Sequence, residues 1–117
     1  MKTQYFANKV LNDNKASMFL AMFVGNPETG GVEIVQNGGR AAMTLGTANG
    51  GYIANTAPVV FEAAASNAQS KVANHWGVYD AATGGNLLYF FPISYDVLCE
   101  IGEEITIGTG SLVMKEA

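Results

Sequence analysis

The feature that most limits the fold of this chain is a succession of short apolar runs separated by turn-forming residues. Runs of strand length at such intervals, with glycine-rich turns between them, indicate a β-sandwich or barrel. We therefore predict an all-β fold, specifically a jelly-roll-like β-sandwich. The predicted strands are Ala16–Val24, Val32–Val35 (a short strand or a protruding hairpin), Arg40–Leu45, Ala57–Phe61, Val72–Tyr79, Leu87–Ile93, Asp96–Cys99, Glu104–Ile107 and Ser111–Met114.

A short N-terminal helix is predicted before the first strand. Residues 3–11 carry the spacing of an amphipathic helix, and Thr3 is available as its N-cap. Its apolar positions are Tyr5, Phe6, Val10 and Leu11. The segment Asn12–Asn14 favours a turn, because its side chains compete with helical hydrogen bonds. Strong helix propensity returns only in Phe61–Gln69, which is compatible with a single helical turn.

Two local patterns refine the predicted sandwich. The segment Thr83–Asn86 contains two glycines that can adopt the positive φ angles of a tight reversal, so it predicts a hairpin. In Ile105–Ile107 apolar and polar side chains alternate with period two. This alternation places both isoleucines on the core face and Thr106 on the outer face.

The length of 117 residues fits one domain, 1–117, with a helical arm at 1–15 and the sandwich at 16–117. Only 14% of the residues are charged and 49% are apolar. Because buried interfaces are depleted in charge, this composition favours a homo-oligomer over a monomer covered by Ser, Thr, Asn and Gly. The net charge of −4 argues against nucleic acid as a partner, since phosphate backbones attract clusters of Lys and Arg.

Membrane insertion and secretion are not expected. The longest apolar-rich stretch, Ala16–Gly25, is too short to cross a bilayer. The N-terminus has polar residues at Thr3, Gln4 and Asn8 before any apolar run, which is unlike a signal peptide. We therefore expect a protein that is made in the cytoplasm and has no membrane partner.

Catalytic chemistry has little support in the sequence. With one histidine, His75, and one cysteine, Cys99, the chain lacks the ligands of a typical structural zinc site. A Cys–His nucleophile pair is disfavoured, because the acids that flank Cys99 would make its thiol a poorer nucleophile. We expect both residues to be structural, although Asp80 is near enough in sequence to orient the imidazole.

Two further motifs are interpreted as surface structure. The acids Glu100, Glu103 and Glu104 around Gly102 do not have the alternating spacing of a calcium loop, so a solvated turn is expected. The glycine-rich segment Gly46–Gly51 lacks the lysine and the strand-to-helix context of a phosphate loop, and we predict a surface loop. We accordingly predict no catalytic, cofactor or metal site, and no enzymatic activity.

A cluster of aromatic residues supplies the candidate interface. Its members are Trp76, Tyr79, Tyr89, Phe90 and Phe91. Aromatic clusters usually belong to a core, but Tyr89, Phe90 and Phe91 are adjacent and must point to both faces of their strand. At least one of them therefore leaves the core side, where it is a candidate for contact with a partner.

The second half of the chain resembles a family of small phage virion proteins. The resemblance lies in Trp76–Asp80, in Ala81–Leu88, in the Gly102–Glu103 turn and in the closing strand Ser111–Met114. Upstream, the apolar run FLAMFVGNP, Arg40 before a strand, and the segment Asn55–Phe61 follow in the same order. The segment Glu28–Asn37 is shorter than the loop usual in that family.

The resemblance implies a virion role without a catalytic residue. Such proteins are labelled capsid decoration or tail fibre proteins, so the leading expectation is a decoration, or cement, protein on the capsid surface. It would form a trimer and bind the major capsid protein. The alternative is a tail or head fibre component, or an adaptor, that binds a host surface or another partner.

Overall fold

The structure is a computed structural model that describes residues 2–34, 39–62, 71–99 and 103–116. Within these residues one α-helix precedes nine strands, and two 3₁₀ turns, Lys15–Ser17 and Pro27–Thr29, lie between the early elements. The elements are α1 Gln4–Asn14, β1 Phe19–Val24, β2 Val32–Ile34, β3 Ala41–Ala42, β4 Tyr52–Ala54, β5 Val59–Phe61, β6 Lys71–Tyr79, β7 Leu87–Cys99, β8 Ile105–Ile107 and β9 Val113–Lys115.

The main layer is a five-stranded antiparallel sheet in which β1 is central. The order is β2-β1-β6-β7, and the short β3 pairs with the start of β1 on the side of β2. Strand β1 reads FLAMFV and is buried on both faces, with Leu20 and Met22 on the core side and Ala21 and Phe23 opposite. This arrangement explains why β1 is an almost continuous apolar run, without the alternation of a half-exposed strand.

Two separate ladders form the second layer. Strand β4 pairs with β9, and β5 pairs with β8, both antiparallel. Their inward side chains join those of the main sheet in one core, where the rings of Phe61 and Trp76 stack with centroids 6.3 Å apart. As predicted, both isoleucines of β8 pack inward and Thr106 is exposed. The prediction of an all-β, sandwich-like fold with a short N-terminal helix is confirmed.

Helix α1 begins and packs as a capped amphipathic helix. The Thr3 Oγ1 accepts a hydrogen bond from the Phe6 N–H at 3.2 Å, which confirms the predicted N-cap. The helix extends to Asn14, beyond the predicted end, and buries Ala7 and Leu11, which lie one turn apart. No helix of the described residues is long and apolar enough to span a membrane.

The segment predicted as a plain surface loop, Gly46–Gly51, is more ordered than expected. Asn8 and Asn12, one turn apart on α1, accept hydrogen bonds from the Gly51 and Ala48 amides at 2.8 and 2.9 Å. Gly50 and Gly51 have φ angles of 62° and 82° and reverse the chain directly into β4. That strand was not predicted, because a three-residue run beside two glycines has little local signal.

A buried asparagine ties the two ladders of the second layer together. Asn55 is 2% exposed and follows β4 directly. Its amide donates hydrogen bonds to the Ala57 and Gly108 carbonyls at 2.9 and 3.0 Å. Its side-chain oxygen accepts a hydrogen bond from the Leu112 N–H at 3.0 Å. Asn55 therefore links the β4–β5 connection to the β8–β9 connection, and all its polar side-chain atoms are bonded.

The predicted hairpin between β6 and β7 is confirmed. Gly84 and Gly85 have φ angles of 66° and 73°, and the Asp80 carboxylate accepts two hydrogen bonds from Asn86, at 2.7 and 3.1 Å. The two strands predicted for 87–93 and 96–99 are one long strand, β7, with an irregular register opposite Ala73 to His75. The helical turn suggested for Phe61–Gln69 falls mainly on residues 63–70, outside the described residues.

Candidate functional site

Two of the five predicted interface residues pack against other side chains of the fold. Trp76 is 5% exposed and stacks on Phe61 in the core. Tyr79 lies on the opposite face of the main sheet, where its ring stacks on Phe23 with centroids 6.2 Å apart. The Arg40 guanidinium also lies over the Tyr79 ring, 3.6 Å from the centroid. The rings of Trp76 and Tyr79 therefore pack against other side chains, and neither residue presents a broad exposed surface.

Arg40 is the central polar residue of that outer face. Its guanidinium donates two hydrogen bonds to the Glu33 carboxylate, at 3.0 and 3.1 Å, and further hydrogen bonds to the Ala81 and Gly84 carbonyls. The Arg40 side chain is only 8% exposed. It thus joins β2, the Tyr79 ring and the β6–β7 hairpin through contacts that a planar guanidinium can make and an ammonium cannot.

The other three aromatic candidates lie on β7 and alternate in direction as predicted. Tyr89 and Phe91 are partly buried and pack against the core, whereas Phe90 is 41% exposed. The prediction that at least one of the three leaves the core side is confirmed by Phe90. The cross-strand neighbour of Phe90 is Gly77, which has no side chain to cover it.

The three β7 aromatics border a groove between the two layers of the sandwich. One part of the groove holds about 240 Å³ and lies between residues 89–91 of β7 and residues 113–115 of β9. The other part, about 200 Å³, continues from Phe91 towards Tyr95 on one side and from Val113 towards Ser111 on the other. Both parts share Phe91 and Val113, so the groove runs along β7 with these two residues at its centre.

Both strands that border the groove have an open edge. Within the described part of the chain, β7 pairs with β6 alone and β9 pairs with β4 alone. Exposed strand edges invite association with another chain, and native proteins commonly restrict this with proline or bulges. Here Pro92 and the irregular register of β7 fall in the middle of the edge. The edge is therefore better suited to side-chain packing than to a long added strand.

One charged residue borders the groove. It is Lys115, which lies at the end next to Phe90. Its side chain is exposed and forms no ion pair with another described residue. Lys115 lies over the Tyr52 ring at 5.7 Å, which keeps its ammonium at the rim.

A polar network near the Lys115 end connects the two terminal segments. The Tyr89 hydroxyl donates a hydrogen bond to Glu116, and the Lys2 ammonium contacts the other oxygen of that carboxylate at 2.8 Å. Burial raises the pKa of Glu116, but the bonds from Lys2 and Tyr89 outweigh it, so the net pKa is lowered. Burial and the same carboxylate raise the pKa of Tyr89. Tyr89 is therefore a neutral donor at neutral pH.

Replacing Tyr89 with phenylalanine is expected to lower the free energy of unfolding by about 1 kcal/mol at pH 7, because a bond to a carboxylate is lost. A lowered carboxyl pKa stabilises the fold above about pH 4.3 and loses that contribution as the pH falls through the folded-state value. The difference between wild type and Tyr89→Phe should therefore shrink in acid. Urea unfolding at several pH values measures it, with the exposed Tyr95→Phe as the control, and equal effects of both variants would contradict the network's role.

The residues considered for catalysis lie apart. Cys99 is buried on the core face, with its sulfur 3.7 Å from the Met22 sulfur, and burial raises the pKa of its thiol. His75 precedes the core residue Trp76 in the strand and so lies on the outer face, where its Nδ1 contacts the Asn74 side chain at 2.8 Å. In residues 2–34, 39–62, 71–99 and 103–116, no three His, Cys, Asp or Glu side chains gather closely enough for a metal ion.

The sequence did not identify all the residues that border the groove. Val113, 49% exposed, lies between the buried Leu112 and Met114, so the period-two pattern of β9 would have placed it on the outside. Tyr95 is 63% exposed beside the irregular part of β7. On α1, Tyr5 and Phe6 were predicted to be part of the apolar face, but they are 76% and 48% exposed. They form a second apolar patch, away from the buried face of the helix.

A match to a known protein family covers the helix and the strands described above. A family model described as podophage GP4 fiber I protein gp80 matches residues 2–115. The matched region includes the helix, both layers of the sandwich and both strands of the groove. A comparison with curated proteins gives no significant match.

Proposed function

Since the chain belongs to the podophage GP4 fiber I protein gp80 family, we propose that it is a structural subunit of a virion fibre. Membership makes it a phage virion protein with a structural role and confirms the family resemblance at that level. The observation that carries the fibre assignment is the match over residues 2–115, which leaves almost none of the chain outside the family.

The surface supports a role in assembly. Large apolar side chains are exposed on α1, on β7 and on β9, including Tyr5, Tyr95 and Val113. With only 14% charged residues, the chain has few solvated side chains to separate these patches. Large apolar side chains exposed in this number support contact with other proteins. We propose that the chain associates with further copies of itself within the fibre.

A binding role, and not a catalytic one, is part of the proposal. The single cysteine is buried in the core and the single histidine lies on the opposite face of the sheet, so the two do not form a nucleophile pair. The groove between β7 and β9 is lined mainly by aromatic and aliphatic side chains. Such a lining favours packing against a protein surface over acid–base chemistry.

Capsid decoration is the second candidate. A trimer bound to the major capsid protein at the capsid surface would bury the same apolar patches, and the low charge favours burial at subunit boundaries in either setting. The two candidates differ in copy number, because a decoration protein repeats over the shell whereas a fibre is attached at few positions. Copy number and position on the particle therefore distinguish them.

The test is quantitative mass spectrometry of purified virions together with immunogold labelling of intact particles. We expect few copies of the chain relative to the major capsid protein, with label on projecting fibres. A copy number comparable to that of the capsid protein, with label over the whole shell, would replace the fibre proposal with capsid decoration. Absence of the chain from purified virions would contradict both candidates.

A further inference from the structure

We propose that the pocket beside Trp76, in the part of the groove that extends towards Tyr95, binds one ring of a neutral saccharide. This ligand site goes beyond the structural role proposed above and does not depend on it. The pocket holds about 200 Å³ and is lined by residues of β6, β7 and β8 and by residues 111–113. Pockets for drug-sized ligands hold about 300 to 1,000 Å³, so this one fits a single small ring.

The pocket includes a buried hydrogen-bond donor that has no partner in the protein. Trp76 lines the pocket and is 5% exposed. Its indole N–H forms no hydrogen bond with another residue in the described part of the chain. Buried indole N–H groups usually have a partner, because a buried donor without one is destabilising. An oxygen atom of a ligand in the pocket would satisfy this donor.

A large bulge in β7 forms one wall of the pocket. The pairing of β7 with β6 jumps from Pro92 to Val97. Residues 93–96 consequently lie opposite Asn74 alone, and the first three of them line the pocket. Bulged residues lie outside the regular ladder, and bulges are common beside functional sites, where they redirect side chains. The main chain of this segment therefore presents N–H and C=O groups to a ligand at irregular spacing.

A sugar ring matches this set of groups better than a peptide strand does. Each hydroxyl both donates and accepts, so one ring can accept the bond from the indole N–H and also bond main-chain groups that follow no ladder. The C–H face of the ring can pack on Tyr95, which is 63% exposed. A peptide strand needs partners at regular intervals, and Pro92 and the bulge remove that regularity.

The lining of the pocket indicates a ligand without charge. None of the described residues that line it is charged, and Ser94, Tyr95 and Ser111 contribute hydroxyl groups. Lys115 borders the other part of the groove. A phosphate, a carboxylate or an amine would leave water in the pocket without a counter-charge, which is unfavourable. A neutral hexose, a deoxyhexose or an N-acetylated sugar has the required chemistry.

An NMR titration of the full chain tests the proposal. The chain has a single tryptophan, so an isotope-labelled sample gives one indole N–H signal, and this signal reports on the pocket. The sugars are glucose, galactose, mannose, rhamnose and N-acetylglucosamine. Each is added to roughly 50 mM, well above the dissociation constant on the order of 1 mM expected for a ligand of about a dozen non-hydrogen atoms. We expect at least one sugar to move the indole signal together with the amide signals of Ser94 and Tyr95.

Two variants test the groups on which the proposal rests. Trp76→Phe keeps an aromatic ring against Phe61 but removes the N–H, so it should raise the dissociation constant about fivefold, measured from the Tyr95 amide signal. Tyr95→Ala removes the exposed ring and should raise the constant about tenfold. Tyr5→Ala, at a similarly exposed tyrosine on α1, is the matched control and should leave the constant unchanged.

Several outcomes would overturn the proposal. One is an indole signal that none of the five sugars moves, and another is a set of shifts confined to residues outside the pocket. Equal affinity in wild type and Tyr95→Ala would also contradict it. Glycerol has hydroxyl groups but no ring, so equal shifts with glycerol at the same concentration would show solvent-like contact only. These results concern the purified chain, so they are separate from its position on the virion.

Discussion

Replacing Arg40 with alanine is expected to lower the free energy of unfolding by about 3 kcal/mol, because the nearly buried guanidinium donates hydrogen bonds to a carboxylate and to two carbonyls, and all of these are lost. The guanidinium is 8% exposed and contacts Glu33, two hairpin carbonyls and the Tyr79 ring. Its loss leaves the Glu33 carboxylate without its cation and the Ala81 carbonyl without its donor. Chemical denaturation followed by tryptophan fluorescence measures the change.

Two further variants make this expectation specific. Arg40→Lys keeps the charge but loses the planar fork, so it should recover less than half of the lost stability. Lys9→Ala removes an ion pair of similar length, 2.9 Å, whose side chains are both more than half exposed, and it should change stability by less than about 0.5 kcal/mol. Similar losses for Arg40→Ala and Lys9→Ala would contradict the role assigned to Arg40.

Replacing Asn55 with alanine is expected to cost about 3 kcal/mol, because three buried hydrogen bonds are lost at once. The variant leaves the Ala57 and Gly108 carbonyls and the Leu112 amide without their side-chain partner. An unsatisfied buried polar group costs about 1 to 3 kcal/mol, and part of the total is recovered if water enters the gap. Thermal and urea unfolding measure the loss.

The control for Asn55 is the same substitution at an exposed asparagine. Asn14 makes one hydrogen bond, to the Val10 carbonyl at 2.7 Å, at the end of α1. Asn14→Ala should therefore change stability by less than about 0.5 kcal/mol. Asn55→Asp keeps the size but cannot donate to both carbonyls, so it should be nearly as destabilising as the alanine variant. Wild-type stability in Asn55→Asp would show that the donors are not needed.

The elements predicted correctly are those specified by residues close together in the sequence. The Thr3 cap depends on the amide of Phe6, and the β6–β7 hairpin depends on Gly84 and Gly85. The alternation of Ile105–Ile107 is likewise local and correctly gave the two faces of β8. Local signals of this type persist because no distant contact opposes them.

The features that were missed depend on distant partners. The three residues of β4 become a strand because β9 pairs with them, some sixty positions later in the chain. The Arg40 contacts join residues from 33 to 84, and nothing near Arg40 in the sequence indicates them. The buried face of α1 was predicted incorrectly, because the small residue Ala7 is buried whereas the large Tyr5 is exposed.

The candidate surface was predicted in part for the same reason. Adjacent aromatics on one strand had to point in both directions, which correctly brought Phe90 to the surface. The opposite wall of the groove comes from β9, and its position beside β7 depends on how the two layers pack. Lys115 is 25 positions from Phe90 in the sequence with no shared motif, so its placement beside that residue at the groove required the structure.

The pairing of β4 with β9 and of β5 with β8 also affects when the protein can fold during synthesis. Both ladders unite a strand from the middle of the chain with one from residues 105–115. On the ribosome, the main sheet has all its strands before these partners emerge, but Phe61 and Ile53 have no ladder to join. The nascent chain therefore carries uncovered apolar surface until β8 and β9 leave the exit tunnel.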